Sequence, residues 1–253
     1  MHHVSPAKDP ARLATLTRFL LVAQGVLALI TVAVEALYLD TLSKTTPMAY
    51  PSSADVDQVG TWLTLLYNAQ LFGLLAGGGL FIAWFHRVYR NLRPLGALEL
   101  RHGEGWAIGS WFVPIVALVL PFQMAADAWR ASDERLEVFT QRAAWQRSRV
   151  PLVFLAWWIA FSLYCALTAV ASGMRPDYFT LDSDRTFTML SMGSNVFAIA
   201  AAVLGVRVVE LLTARQRARA AARERMAPPA PWGPPPPPPP IAGPAWAAPG
   251  EQV

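Results

Sequence analysis

The sequence is poor in the residues that build most catalytic and metal sites. Cys165 is the only cysteine and lies in an apolar stretch, so the chain offers no partner for a disulfide or a thiolate metal site. The four histidines lie at the amino terminus or in one polar loop, none at ligand spacing from a carboxylate or thiol. No glycine-rich loop joins a strand to a helix. We therefore predict no metal, no cofactor and no enzymatic activity.

Charge is also scarce. Charged residues make up 15% of the chain against 54% hydrophobic residues, which is typical of a membrane protein. Only Lys8 and Lys44 are lysines among the 21 basic residues, a bias common in bacteria with GC-rich genomes. Five arginines lie close together between residues 215 and 225 with no aromatic residues among them. This pattern favours anionic lipid headgroups over nucleic acid as the partner.

The apolar residues are concentrated in stretches long enough to cross a bilayer, since about 20 residues suffice for one helical crossing. Four stretches meet this length plainly: residues 16–38, 62–85, 152–172 and 187–212. A cleaved signal peptide is the alternative for the first stretch, but Glu35 fits a cleavage motif poorly. A fifth stretch, residues 106–126, is interrupted by Pro114 and Pro121.

The basic residues orient these stretches. If residues 106–126 enter the membrane and return to the same side, every basic residue except Lys44, Arg175 and Arg185 shares a side with both termini. Basic residues favour the cytosolic side. We therefore predict an all-α integral protein of the cell membrane with four transmembrane helices, a proline-broken re-entrant segment and cytosolic amino and carboxyl termini. The alternative is five transmembrane helices, with residues 106–126 forming a kinked span.

Composition divides the chain into four parts. These are a cytosolic amino-terminal arm (1–15), a multi-pass membrane domain (16–212), a basic juxtamembrane helix (213–226) and a proline-rich tail (227–253). The unbroken proline run in the tail has no backbone donors, which predicts disorder or polyproline II. Ser132, followed by two acidic residues, predicts the start of a helix that lies on the membrane surface or is simply solvated.

Polar residues within the apolar stretches are the positions where an activity would lie. Four amides are predicted to form interhelical hydrogen bonds: Asn68, Gln70, Gln123 and Asn195. Glu35 and Glu210 lie near the ends of their predicted stretches, so we expect both to reach the interface. Asp127 is shielded from water only if the broken segment is re-entrant. Irregular backbone at that depth is tolerated where it lines a cavity or is buried in protein.

Gly73 and Gly77 are spaced four residues apart in the second stretch. Small residues at this spacing let two helices approach closely where lipid gives no hydrophobic drive for association. The pair predicts a helix-packing face. If that face contacts a second copy of the chain, the protein forms a homo-oligomer.

Several motifs that contain tryptophan or proline follow one another along the chain. They read FIAWFHRVYRN at residues 81–91, GWAIGSWFVP at residues 105–114, AWRAS at residues 128–132 and WW at residues 157–158. Together they resemble the bacterial membrane family called domain of unknown function 4328, over roughly residues 62–212. The resemblance implies a multi-pass membrane protein, commonly actinobacterial, and brings no established reaction, ligand or partner.

The resemblance also marks individual positions. Those that match its pattern are Arg87, Asn91, Trp111, Pro114 and Pro121. With Gln123 and Asp127 they form our set of candidate structural or cavity positions. Members of the family often carry asparagine between the two prolines, where this chain has Ala117.

These observations predict a protein that acts by association. Its partners would be anionic lipid headgroups, a cytosolic protein bound by the tail, or a second copy of the chain. The alternative is a small transporter or channel in which residues 106–126 line a cavity.

Overall fold

Every regular element in the part of the chain that the structure describes is an α-helix. The computed structural model describes residues 7–47, 50, 54–97, 100–134, 148–173 and 180–226. Its helices are α1 (Ala11–Lys44), α2 (Ala54–Arg90), α3 (Trp106–Gly109), α4 (Pro114–Ala117), α5 (Leu120–Ala131), α6 (Leu152–Gly173) and α7 (Leu181–Met226). The predicted tail at 227–253 and the helix predicted to follow Ser132, at 135–147, lie outside the described residues.

Four of these helices, α1, α2, α6 and α7, are long and apolar enough to cross a membrane. This confirms the all-α fold with four candidate spans. α7 has 46 residues, so at 1.5 Å per residue it is about 70 Å long, more than twice the thickness of a bilayer core. It therefore continues beyond its apolar stretch and includes the basic run up to Met226.

The bundle carries apolar side chains on its outside. Large hydrophobic residues such as Phe19, Phe72 and Val203 are mostly exposed, whereas Thr31, Glu35 and other polar residues are buried. A water-soluble bundle has the opposite distribution. Lipid is the solvent that suits an apolar exterior of this kind.

α7 is the central element of the bundle. It packs along both α1 and α6, and α1 also packs along α2. The approach of α7 depends on Gly205, where a Cβ atom would lie 3.2 Å from Trp157 Nε1 of α6 and 3.4 Å from Leu21 Cδ1 of α1. The long helices therefore lie in the order α2, α1, α7 and α6.

The two ends of the bundle differ in charge. At one end, here called the acidic end, the described residues of the α1–α2 and α6–α7 connections meet, with Asp55, Asp57, Asp182 and Asp184 nearby. At the other, the basic end, the amino-terminal arm, residues 91–104, residues 127–134 and the last turns of α7 meet through hydrogen bonds. This charge difference is the one on which the sequence-based orientation depends.

The proline-broken segment consists of three short helices, α3, α4 and α5. Each proline lies in the first turn of a helix, Pro114 in α4 and Pro121 in α5, where a missing backbone N–H breaks no hydrogen bond. Arg101 Nε precedes the segment and lies 3.6 Å from Asp127 Oδ2 near its end. The segment therefore leaves the basic end and returns to it.

Ser132 lies at the end of a helix rather than at a start. It is the C-terminal capping residue of α5, and its side-chain oxygen, which an N-cap uses as an acceptor, is buried with no hydrogen-bond partner, so the interpretation of Ser132 as an N-cap is wrong. The residues before it, up to Ala131, form the helix α5 and are buried against the bundle.

Candidate functional site

Glu35 of α1 is buried inside the bundle. Its side chain is 0% exposed, so the expectation that it reaches the interface is wrong. The reason is the length of α1, which continues nine residues beyond Glu35 to Lys44, about 14 Å of helix. The predicted stretch ended at residue 38 and placed Glu35 too close to an end.

One carboxylate oxygen of Glu35 accepts three hydrogen bonds. The donors to Oε1 are the Tyr67 hydroxyl of α2 at 2.9 Å, and the Ser191 hydroxyl at 2.5 Å and Asn195 amide at 3.0 Å, both of α7. The other oxygen, Oε2, is buried with no hydrogen-bond partner. The ion pairs found among the described residues do not include Glu35. A buried carboxylate is costly to keep ionised without a compensating positive charge.

Gln70 of α2 extends this cluster. Its amide donates to Asn195 Oδ1 at 2.9 Å and to Thr31 Oγ1 at 2.8 Å. Gln70 and Asn195 thus make the interhelical hydrogen bonds expected of them. Asn68 does not, because it is exposed and donates to the Thr64 carbonyl of its own helix. We call the six connected residues the Glu35 network: Thr31, Glu35, Tyr67, Gln70, Ser191 and Asn195.

The three donors to Glu35 line a cavity of about 190 Å³, here called the middle cavity. Tyr164 and Thr168 of α6 form its opposite wall. A solute in the middle cavity therefore lies one hydrogen-bonding side chain away from the Glu35 carboxyl.

A larger cavity of about 590 Å³ lies at the acidic end, and Tyr67 and Phe187 border both it and the middle cavity. Its wall includes Asp184, whose Oδ2 accepts hydrogen bonds from the Tyr38 hydroxyl at 2.6 Å and the Tyr50 hydroxyl at 3.1 Å. Burial, together with the nearby Asp184 carboxylate, raises the pKa of Tyr50 to about 12. Tyr50 therefore remains a hydrogen-bond donor to Asp184 at physiological pH.

A third cavity, the aromatic cavity, has a volume of about 130 Å³ and lies on the other side of the middle cavity. Leu74 and Tyr164 border both. Its wall includes Phe81, Trp157 and Phe161 from the long helices and Trp111 from the broken segment. The three cavities thus form a row that runs from the acidic end to Trp111.

Trp111, one of the predicted cavity positions, lines the aromatic cavity. Its ring packs edge-on against Phe81 at 5.7 Å, Trp158 at 6.1 Å and Phe161 at 6.2 Å between centroids. The Leu118 carbonyl, further along the broken segment, accepts a hydrogen bond from Trp158 Nε1 at 3.1 Å. These contacts hold the broken segment against α2 and α6.

Asn91 and Arg87 lie at the basic end, away from the Glu35 network. Asn91 is buried and binds the backbone of Lys8 twice, donating to its carbonyl at 2.7 Å and accepting from its N–H at 3.1 Å. Arg87 is half-buried in the last turn of α2. The Asn91 contacts tie the amino-terminal arm to the end of α2.

Asp127 and Gln123, the remaining candidate positions, lie on α5. Asp127 is 0% exposed, and its carboxylate lies 3.6 Å from Arg101 Nε and 3.8 Å from Arg130. Gln123 is half-buried one turn earlier. The contact between Asp127 and Arg101 joins the residues before and after the broken segment, so the loop that contains the segment is closed at its base.

Gly73 and Gly77 face α1 of the same chain. A Cβ atom at Gly73 would collide with the Gln24 side chain, whose amide donates to the Gln70 carbonyl at 3.1 Å. A Cβ atom at Gly77 would lie 3.7 Å from Leu20 Cβ. The small-residue spacing therefore brings α1 and α2 together within the bundle.

The arginines at the end of α7 bind other parts of the chain. Arg219 is 4% exposed and donates to the Leu95 and Asp133 carbonyls. The other contacts are Arg215 with Asp133 and the Trp129 ring, Arg217 with Asp9, and Arg223 with the Pro94 carbonyl. The hydrogen bond from Arg217 lowers the pKa of Asp9. These arginines connect the loops of the basic end to one another.

A signal for the Glu35 network was present in the sequence. Polar residues recur every seven positions along one face of α1, at Thr17, Gln24, Thr31 and Tyr38. A matching row on α7 consists of Asp184, Thr188, Ser191 and Asn195. Polar residues with helical spacing in an apolar stretch mark the buried face.

The family comparison covers most of this bundle. A family model described as Domain of unknown function (DUF4328) matches residues 50–214. No curated protein and no solved structure matches the chain. The match includes Tyr67, Gln70, Ser191 and Asn195, and begins after α1, which supplies Glu35.

Proposed function

The chain belongs to the DUF4328 family, and we propose that it is an integral membrane protein that transports a positively charged solute by way of Glu35. One observation carries the proposal. Glu35 is fully buried, and its second oxygen has no hydrogen-bond partner, in a bundle whose exterior is apolar. Buried ionisable residues in membrane segments are rare and mark ion or substrate pathways.

The environment of Glu35 suits a cation or a proton. Three donors to Oε1 orient the carboxyl. Oε2 has no hydrogen-bond partner, and a solute in the middle cavity reaches it when one of the donors that line that cavity moves aside. A bound positive charge offsets the cost of ionising the carboxyl, and a proton removes that charge altogether. The Glu35 carboxyl therefore binds either one cation or one proton at a time. Binding of a proton releases the cation, and binding of a cation releases the proton.

The solute reaches Glu35 from the acidic end. Four aspartates near that end attract cations, and Asp184 lies in the wall of the large cavity. Tyr67 and Phe187 separate this cavity from the middle cavity, with their rings perpendicular at 6.2 Å between centroids. Movement of either ring opens the route, so the pair is the gate of the pathway.

The membrane orientation follows from the charges of the two ends. The basic end with both termini faces the cytosol by the positive-inside tendency, so the acidic end faces outward. The broken segment is re-entrant: Phe112 and Ile115 near its middle are 72% and 83% exposed, which suits contact with lipid, and both of its ends lie at the basic end. It closes the cytosolic side of the aromatic cavity through Trp111.

Transport is the alternative function that the sequence predicted, and the structure gives it more support than association. The association hypothesis used the arginines at residues 215–225, the Gly73 and Gly77 face and the proline-rich tail, and the tail lies outside the described residues. Arg219 is buried, and Gly73 and Gly77 face α1. Binding of anionic lipid headgroups therefore rests on exposed arginines such as Arg225 and Arg12. Transport of a solute requires no covalent step, so the protein remains non-enzymatic in this proposal.

The test is solute uptake into liposomes that contain the purified protein. Radiolabelled guanidinium reports cation entry, because it stays charged and crosses lipid poorly, and a trapped pH-sensitive dye reports protons. We expect uptake of at least one of the two and a loss of at least tenfold in Glu35→Gln. Glu210→Gln is the matched control, since Glu210 is partly exposed and pairs with Arg18 at 3.2 Å.

Folding of both variants is checked by gel filtration and thermal unfolding. Tyr67→Phe, which removes one hydroxyl donor, serves if Glu35→Gln does not fold, and it is expected to reduce uptake. Equal uptake by wild type and Glu35→Gln would overturn the proposal. So would wild-type liposomes that match protein-free liposomes for both guanidinium and protons.

A further inference from the structure

We propose that the transported solute is an amphipathic cation, with a charged head at Glu35 and a linear apolar chain in the aromatic cavity. This inference rests on the proposed function and names its substrate class. The observation behind it is the row of cavities: a polar middle cavity beside Glu35 shares Leu74 and Tyr164 with a cavity lined almost entirely by apolar and aromatic side chains.

The two cavities are spaced for an elongated molecule. Tyr67, which donates to Glu35, and Leu74, which borders the aromatic cavity, are seven residues apart on α2, or about 10 Å along the helix. The aromatic cavity then continues along α2 to Phe81 and Ile82. A solute with its charge beside Tyr67 therefore reaches the near edge of the aromatic cavity, at Leu74, with about 10 Å of chain, and a longer chain fills more of the cavity towards Ile82.

The lining of the two cavities differs in the same way as the two ends of such a solute. The middle cavity presents hydroxyl and amide groups from Tyr67, Ser191 and Asn195. The aromatic cavity presents Leu21, Phe81, Trp157 and Phe161, with Trp157 and Phe161 stacked at 6.3 Å between centroids. Its volume of about 130 Å³ is close to that of dry apolar cavities that accept a benzene-sized group, about 150 Å³.

A small inorganic cation makes no use of the aromatic cavity. Hard cations require several oxygen ligands, and the described residues contain no group of three or more histidine, cysteine or acidic side chains that could hold a metal ion. An alkyl chain gains about 0.8 kcal/mol for each methylene that it buries. The aromatic cavity therefore selects a solute with a chain over a bare cation.

The test is equilibrium binding of radiolabelled n-alkylguanidinium ions to the full-length protein in lipid nanodiscs. Binding to empty nanodiscs is subtracted. Methyl-, butyl- and octylguanidinium share one head and differ in chain length, and octylurea is the neutral analogue of the last. We expect octylguanidinium to bind at least tenfold more tightly than methylguanidinium, and octylurea at least tenfold more weakly than octylguanidinium.

Two glycine variants separate the aromatic cavity from the head site. Gly78 lines the aromatic cavity and Gly79 does not, and a Cβ atom at either position meets nothing within 4 Å. Gly78→Leu therefore occupies the cavity without a backbone clash, and Gly79→Leu is its matched control. We expect Gly78→Leu to weaken octylguanidinium at least tenfold and to leave methylguanidinium unchanged, whereas Gly79→Leu changes neither.

The outcomes distinguish this inference from the function on which it rests. If Glu35→Gln abolishes uptake of guanidinium or protons but affinity does not rise with chain length, the solute class is wrong and transport through Glu35 stands. Equal binding of octylurea and octylguanidinium also overturns the solute class. If neither uptake nor binding depends on Glu35, both proposals fail. The chain-length series uses the wild-type protein, so it decides the matter even if Gly78→Leu does not fold.

Discussion

The Asn195 amide donates a hydrogen bond of 3.0 Å to the Glu35 carboxylate, although 160 residues separate the two in sequence. Glu35 lies on α1 and Asn195 on α7, the central helix that packs along α1. The residues that match the DUF4328 family supply the donors, and α1 supplies the acid. The site therefore exists only when α1 is docked against the rest of the bundle.

Replacing Asn195 is expected to destabilise the protein. Asn195→Leu leaves the Gln70 amide without one acceptor and Glu35 without one donor, and buried polar groups that lose a partner cost about 1–3 kcal/mol each. We expect a clearly lower unfolding temperature in detergent. Asn68→Leu is the matched control, because Asn68 is exposed and bonds only within α2. Equal unfolding temperatures for the two variants would mean that Asn195 does not hold α1 to α7.

The failure to predict the position of Glu35 has a simple physical cause. A hydropathy stretch ends where polar residues begin, but a helix ends where its backbone hydrogen bonds end. α1 continues through Asp40 to Lys44, so the sequence-based boundary was too early. The polar rows on α1 and α7 indicated the buried faces, but one sequence does not show which of these side chains contact Glu35, since Tyr67 and Asn195 lie 32 and 160 residues away.

The number of long helices was easier to predict than their contacts. Length and hydropathy are local properties, and all four predicted stretches lie within α1, α2, α6 and α7. The breaks in residues 106–126 were also local, because Pro114 and Pro121 cannot lie within a regular helix without losing hydrogen bonds. The row of cavities depends on how side chains from four helices meet, and no local pattern contains that information.

Gly73 and Gly77 are expected to affect stability rather than oligomeric state. Leucine at both positions would push α1 away from α2, because Gln24 and Leu20 of α1 lie opposite them. We expect the double variant to unfold at a lower temperature and to elute on gel filtration with the same oligomeric state as wild type. Gly79→Leu is the control, since a Cβ atom there meets nothing within 4 Å. A change in oligomeric state without loss of stability would indicate that these glycines contact a second copy.

Two of the arginines at the end of α7 differ in burial. Arg219 is buried and donates to the Leu95 and Asp133 carbonyls, whereas Arg225 is exposed and donates only to the Ala221 carbonyl of its own helix. We expect Arg219→Ala to destabilise the basic end by about 1–3 kcal/mol, measured as faster proteolysis between residues 91 and 104. Arg225→Ala should leave proteolysis unchanged and weaken binding to anionic vesicles by about 1 kcal/mol. Identical proteolysis of the two variants would contradict the structural role of Arg219.

The last prediction concerns the topology of the broken segment. A single cysteine at Glu134, in a Cys165→Ser background, should resist a membrane-impermeant maleimide in intact cells and react after permeabilisation. All three labelling positions are exposed: Glu134 after the segment, Asp55 at the acidic end and Glu224 at the basic end. The Asp55 cysteine should react in intact cells, and the Glu224 cysteine should behave like Glu134.

The physical reason is the contact between Arg101 and Asp127, which precede and end the segment and lie 3.6 Å apart. If residues 106–126 crossed the bilayer, these two side chains would lie on opposite sides of a hydrocarbon core about 30 Å thick, and the contact could not form. Labelling of Glu134 in intact cells while Glu224 stays protected would therefore require five crossings and would rule out the re-entrant arrangement. Because that arrangement also puts Trp111 at the cytosolic boundary of the aromatic cavity, the same result would remove the proposed closure of the transport pathway on that side.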